Sequence, residues 1–222
     1  MSAESGLKTF RDNGGLWEDY NVYEVATPEA WVKNPELVLK FYNERRKQLI
    51  KASFNNAHKV VADLEQQFDV IVITQNIDNL HEKAGSKNVV HLHGELMKAR
   101  CENNEHDTYK LNNEELKLGD LSESGFQLRP HVVWFGEEVP AMDEAIKTII
   151  DAEVFIVIGT SLNVYPAANL IHYLPSNCDK YLIDPKPNEI QLDNSWKIIK
   201  ETAAKGMVIV QNHLNKKSDS IK

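Results

Sequence analysis

Five short apolar runs constrain this chain more than any other feature: DVIVIT (69–74), NVVHLHG (88–94), EVFIVIGT (153–160), KYLID (180–184) and GMVIVQ (206–211). They are too continuously apolar to keep one face in water, and helix-period segments separate them. That pattern belongs to a parallel sheet covered on both faces. All five read as strands, so the predicted fold class is α/β, a doubly wound parallel sheet that binds ligands at the carboxyl ends of its strands.

Two segments stand outside the alternation. Within 27–54, TPEAW and NPEL each place a polar cap before a proline at the first helical position, and both predict helix starts. The stretch 101–128, CENNEHDTYKLNNEELKLGDLSESGFQL, is polar, poorly periodic and short of apolar anchors. Together they predict a small second lobe built from insertions, about 27–54 and 99–131, on a main lobe of about 1–26, 55–98 and 132–222. At 222 residues, with no Pro- or Ser-rich linker, the whole reads as one compact domain.

Charge and cysteine content exclude other classes. A net charge of −8 opposes a nucleic-acid backbone. No apolar run is long enough to span a bilayer, and the N-terminus lacks the order of an export signal. Two cysteines, Cys101 and Cys178, make no disulfide framework. The expected location is the cytoplasm, away from membranes and nucleic acid.

Chemistry-bearing side chains gather where strands end. DVIVIT runs into QNIDNLHEKAG, so Gln75, Asn76 and Asp78 emerge at a carboxyl end, to meet a ligand or to cap the next helix. His93, just before Gly94, suits a general base that titrates near neutrality. His91 lies two residues deeper on the same run and reads as a packed histidine. In GTSLNVYPAANL, Gly159 permits close backbone approach while Thr160 and Ser161 offer hydroxyls to an anion. Asp184 ends KYLID, where a carboxylate can accept ribose hydroxyls.

In this order and spacing, SAESGLKTFRDNGGLW, TQNIDNLHEKAGS, HLHGEL, RPHVVWFGEEVP and GTSLNVYPAANL closely resemble the sirtuins, NAD-dependent protein lysine deacylases. The likeness covers almost the whole chain. It implies a Rossmann-like main lobe, with NAD bound between that lobe and the small one. By the same match Ala3, Glu4, Thr9, Phe10, Arg11 and Trp17 belong to the cofactor-binding loop, Gln75, Asn76, Ile77 and Asp78 to the nicotinamide pocket, and Gly159, Thr160 and Ser161 to the loop over phosphates and ribose. Asp184 and Ala203 are carried over more loosely.

The resemblance makes His93 the catalytic histidine, with Asn76, Asp78 and Arg11 in support. Val133, Trp134, Phe135 and Gly136 match the segment that pairs with substrate peptide as an added strand. The implied chemistry is attack of an acyl-lysine amide oxygen on the ribose carbon as nicotinamide leaves. His93 then takes a proton from a ribose hydroxyl. The products are free lysine, nicotinamide and O-acyl-ADP-ribose.

Two details refine the match. Val38, Tyr42, Arg45 and Leu49 recur at helical spacing, so Arg45 sits in a stripe that should face the core. It pairs with a carboxylate, snorkels to solvent or holds a ligand anion. FYNERR resembles the tyrosine and arginine pair of the sirtuin class that removes succinyl and malonyl groups, which implies that Tyr42 and Arg45 bind an acyl carboxylate. Family members usually place four zinc-binding cysteines in the second insertion. Only Cys101 stands there, so no zinc is expected.

Finally, the family places an apolar strand and a Gly-Ala-Gly turn directly before the segment that opens with Met1. The expectation is a first strand missing from this chain, through a start placed late or through truncation. Losing a central strand would leave buried amides unpaired, at about 1–3 kcal/mol each against a total stability of about 5–15 kcal/mol. An alternative therefore stands beside the enzyme: a truncated, noncatalytic NAD or ADP-ribose-binding module.

Overall fold

The computed structural model describes residues 1–7, 16–17, 20–112, 115–160, 165–187 and 192–219, with only the backbone at 16, 17, 218 and 219. The chain opens with a 3-10 turn (Ser2–Ser5) and a short hairpin, β1 (Leu16–Trp17) and β2 (Tyr20–Asn21). Three helices follow, α1 (Val22–Val25), α2 (Pro28–Lys33) and α3 (Pro35–Lys51). The two predicted starts are as the caps require: Thr27 accepts from the Ala30 amide and Asn34 from that of Leu37, each ahead of a proline.

Next come α4 (Asn56–Leu64), β3 (Val72–Thr74), α5 (Leu80–Ala84) and β4 (Val89–His91), with β3 and β4 paired in parallel. The polar insertion forms an antiparallel sheet of order β6-β5-β7, from β5 (Gly94–Cys101), β6 (Asn104–Lys110) and β7 (Leu128–Val132). Its last loop is stitched by Gln127, whose Nε2 donates to the Lys117, Asp120 and Leu128 carbonyls while its Oε1 accepts from the Gly119 amide. After α6 (Met142–Ile149), β8 (Val154–Ile158), β9 (Asp179–Ile183) and β10 (Trp196–Ile199) form a parallel sheet, and α7 (Ala203–Asp219) closes the described chain.

Helices cover both faces of the parallel strands, as a doubly wound fold demands. On one side α4 and α7 bury Val60, Val61, Met207 and Val210 against Val72, Tyr181 and Ile183. On the other, α6 and a 3-10 helix (Ala167–Tyr173) pack Ala145, Ile149 and Leu170 on Val90 and Leu92. A separate core joins α1–α3 to β5 and β7 through Phe41, Tyr42, Leu96, Ala99 and Trp134. Among the described residues no helix is long and apolar enough to cross a membrane.

One predicted strand is a helix. GMVIVQ lies inside α7, where Ala203, Met207, Val210 and Leu214 are buried at helical spacing while Val208 and Ile209 face outward. Burial of one helical face overrides the β propensity of valine and isoleucine. Gly206 sits so close to Ile183 that a Cβ there would fall 2.3 Å from its Cγ2. The fifth parallel-type strand is β10, whose alternating Lys197 and Ile198 hid it from a search for continuous apolar runs.

The parallel strands do not form one ladder. Among the described residues β3 pairs only with β4 and β8 only with β9, so one edge of β3 and one edge of β8 carry no strand. A cavity of about 2130 Å³ is lined by both edges, Val72 to Thr74 and Val154 to Ile158, and continues to the carboxyl ends of these strands.

Candidate functional site

That cavity gathers most of the predicted side chains. Gln75, Asn76, Ile77 and Asp78 line it just past β3, His93 lies past β4, and Tyr42 and Arg45 of α3 and Val133 to Gly136 after β7 complete this part of its lining. The ladder of β4 ends at His91, so Leu92 and His93 belong to the turn into β5. Gly94 makes that turn possible. Its φ is +78°, and a Cβ there would lie 2.2 Å from the His131 carbonyl oxygen.

Each residue of the QNID stretch has a defined role. The Asn76 amide donates to Thr74 Oγ1 at 3.1 Å, and its side-chain Nδ2 donates to Ser2 Oγ at 2.9 Å. Asp78, buried, accepts from the Leu80 amide at 3.1 Å, which is the helix-start role that a carboxylate ahead of α5 offers. Gln75 places its carbonyl oxygen 2.9 Å from His93 Nδ1, and its Nε2 donates to Thr160 Oγ1 at 3.4 Å. Ile77 is buried, and its carbonyl accepts from the Leu96 amide. Burial holds the His93 imidazole below its ordinary pKa, against the opposing pull of the Gln75 carbonyl.

His91, two residues away, behaves differently. Burial opposes its charge, yet the Glu82 carboxylate 2.7 Å from Nε2 raises its pKa overall. Its Nδ1 lies 3.4 Å from the Asn76 carbonyl oxygen. It is a packed, paired histidine, and the two imidazoles are shifted in opposite directions.

At the other end of the cavity, Glu4 and Ala203 meet. The Glu4 carboxylate accepts from the amides of Ala203, 2.7 Å, and Ala204, 3.2 Å, and so caps the N-terminus of α7. Ala3 is exposed beside it. Gly159 ends β8 with φ +58°, its Cβ position 3.0 Å from the Met1 nitrogen. Asp184 is buried past β9 and accepts from the Lys186 amide at 2.8 Å. Thr9, Phe10, Arg11 and Ser161, and the side chain of Trp17, lie outside the described residues.

The α3 stripe is buried as its spacing predicted: Val38, Tyr42, Arg45 and Leu49 all face inward. The Tyr42 hydroxyl accepts from the Trp134 indole Nε1 at 3.0 Å, and burial raises its pKa. The Arg45 guanidinium stands 5.8 Å from the Phe41 ring centre. In the segment that follows β7, the Val133 amide donates to the His93 carbonyl, that of Phe135 to the Ala26 carbonyl, and that of Trp134 to Glu137. These amides already have partners inside the protein.

Sequence reasoning overlooked Glu137 and the arginines that hold it. Arg100 donates to its Oε1 at 2.9 Å, and Arg129 donates to both oxygens at 2.7 and 3.1 Å. A carboxylate inside the quoted RPHVVWFGEEVP, with Arg129 at its start, was the available signal. The residues do not fit the structural zinc of the resembled family: Cys101 Sγ is surrounded by the hydroxyls of Ser122 and Ser124, and the chain's other cysteine, Cys178, lies at the start of β9.

Comparison with known proteins gives the family. Residues 1–166 match the Sir2 family. An NAD-dependent protein deacylase of Bacteroides thetaiotaomicron is 51% identical over 212 residues, 93% of this chain and 91% of the relative. Among solved structures, a Sir2 homologue with ADP-ribose superposes with TM-score 0.84 at 36% identity, over 100% of this chain and 90% of that one. A Sir2 homologue with NAD gives 0.82 at 37%, over 97% and 86%.

Proposed function

This chain belongs to the Sir2 family, and from that premise we propose that it is an NAD-dependent protein lysine deacylase with a preference for succinyl and malonyl groups. The observation that carries the reading is one cavity that joins a half-buried histidine at the strand ends, its Nδ1 held by the Gln75 carbonyl, to a buried tyrosine and arginine on α3.

NAD, as cosubstrate, supplies an electrophilic ribose carbon once nicotinamide departs. The residues on its side have distinct tasks. Asn76 and Asp78, fixed by their own hydrogen bonds, shape the nicotinamide end, and Gly159 with Thr160 lets backbone approach the phosphates and ribose. Arg11, Thr9, Phe10, Ser161 and Trp17 join this set by family resemblance alone. His93 receives the ribose hydroxyl proton on Nε2, because its Nδ1 faces a carbonyl that can only accept. The acyl-lysine enters beside Val133 to Gly136, with its acyl end toward Tyr42 and Arg45. The neutral Tyr42 hydroxyl and the Arg45 guanidinium suit a terminal carboxylate. The products are unmodified lysine, nicotinamide and O-acyl-ADP-ribose, made in the cytoplasm.

Mass spectrometry of succinyl-, malonyl- and acetyl-lysine peptides incubated with the protein and NAD tests this. Deacylated peptide with equimolar nicotinamide supports it. Binding of ADP-ribose without turnover of any peptide would leave the noncatalytic module.

A further inference from the structure

We infer that Trp134 is a positioning residue for acyl-chain selection, acting through the hydroxyl of Tyr42; this rests on the reading of Tyr42 and Arg45 as the acyl pocket. An indole N–H can only donate. Its bond to Tyr42 Oη, 3.0 Å, therefore occupies one lone pair of that oxygen and turns the hydroxyl hydrogen away from Trp134. Both side chains are almost fully buried and both line the cavity. The turned hydrogen is available to an acceptor at the end of an acyl chain. An acetyl group has no oxygen there, whereas a succinyl or malonyl group has two.

Trp134 is itself tightly placed. Its amide donates to Glu137 Oε2 at 2.8 Å, the Arg129 guanidinium lies 3.2 Å from its ring centre, and Trp31 packs at 5.9 Å. Glu137 in turn accepts from both Arg129 on β7 and Arg100 on β5. The antiparallel sheet thus fixes the indole, and the indole fixes the direction in which Tyr42 donates. Such an arrangement is pre-organised, so its loss should weaken binding of the acyl end more than it slows the chemistry at His93.

The test is a double-mutant cycle of Trp134→Phe and Tyr42→Phe, with kcat and KM measured on matched succinyl- and acetyl-lysine peptides. Each single variant should lower the succinyl-to-acetyl ratio of kcat/KM by about three- to tenfold, carried by KM. The double variant should be no worse than Tyr42→Phe alone. Additive losses, or equal KM increases on both peptides, would show Trp134 to be structural and overturn the inference. A parent with no succinyl preference would overturn the acyl-pocket reading as well, and is told apart by that first measurement. If Trp134→Phe does not fold, the indole ¹H–¹⁵N signals decide: of the four tryptophans, one should shift upfield in Tyr42→Phe, and four unmoved signals would overturn the link.

Discussion

The Nδ1 atom of His93 lies 2.9 Å from the carbonyl oxygen of Gln75. A carbonyl cannot donate, so Nδ1 carries the hydrogen and Nε2 keeps its lone pair. Burial holds the ring below its ordinary pKa, which keeps it neutral further into acid. The acid limb of kcat/KM should therefore have its midpoint below the ordinary 6.5. In a His93→Ala variant that still binds ADP-ribose, activity should fall by about 10²–10⁴-fold. A midpoint above neutrality, or full turnover by the variant, would remove His93 from the role of base.

Arg45→Met keeps the length and apolar stem of the side chain while deleting its charge. Charge-assisted hydrogen bonds contribute about 1.5–3 kcal/mol, so the parent should favour succinyl over acetyl peptide by about one to two powers of ten in kcat/KM. In the variant that ratio should approach one. An unchanged ratio would place the carboxylate elsewhere.

His58 and His81 stack edge to face in the interior, ring centres 4.9 Å apart, between α4 and α5. Burial is the main cause that lowers both pKa values to about 4 from an ordinary 6.5, and for His81 the neighbouring His58 adds to it. Below 6.5 the unfolded chain takes up protons that the folded one refuses. The stability these two neutral rings provide is thus complete above 6.5 and is lost as the pH falls toward 4. Thermal melts should show Tm dropping by roughly 5–15 °C between about pH 7 and pH 5, with a smaller drop in His81→Gln. A flat profile across that interval would refute it.

Where the family's zinc would sit, Cys101 has two serine hydroxyls for neighbours. Metal analysis should accordingly find far less than one zinc per chain, and a chelator should leave Tm unchanged. One tightly held zinc whose removal lowers Tm would contradict this.

Short-range features were legible in the sequence. Thr27 and Asn34 announce α2 and α3 because a cap and a proline act within a few residues, and the Val38, Tyr42, Arg45, Leu49 stripe announces its buried face because helical spacing is local. Gln75 to Asp78 and His93 could be placed at strand ends from the runs before them. Features that depend on distant partners were not legible. Met207 and Val210 look like strand residues until Ile183 and Tyr181 are there to cover one helical face. Glu137 gains its meaning from Arg100, 37 positions away. The Glu4 carboxylate finds Ala203 from 199 positions away, so no pattern within one element could reveal it.

Among the described residues β3 and β8 share no ladder, which bears on how the protein opens. Amides on β9, bonded between β8 and β10, are linked to those of β4 only through helix packing and side chains, since no backbone hydrogen bond joins the two sheets among the described residues. Native-state hydrogen exchange should therefore resolve two protection levels among the parallel strands. The slowest amides should be on β9, at Leu182 and Ile183, and the two-stranded β3–β4 unit should exchange through a separate, lower-energy opening that leaves β8, β9 and β10 intact.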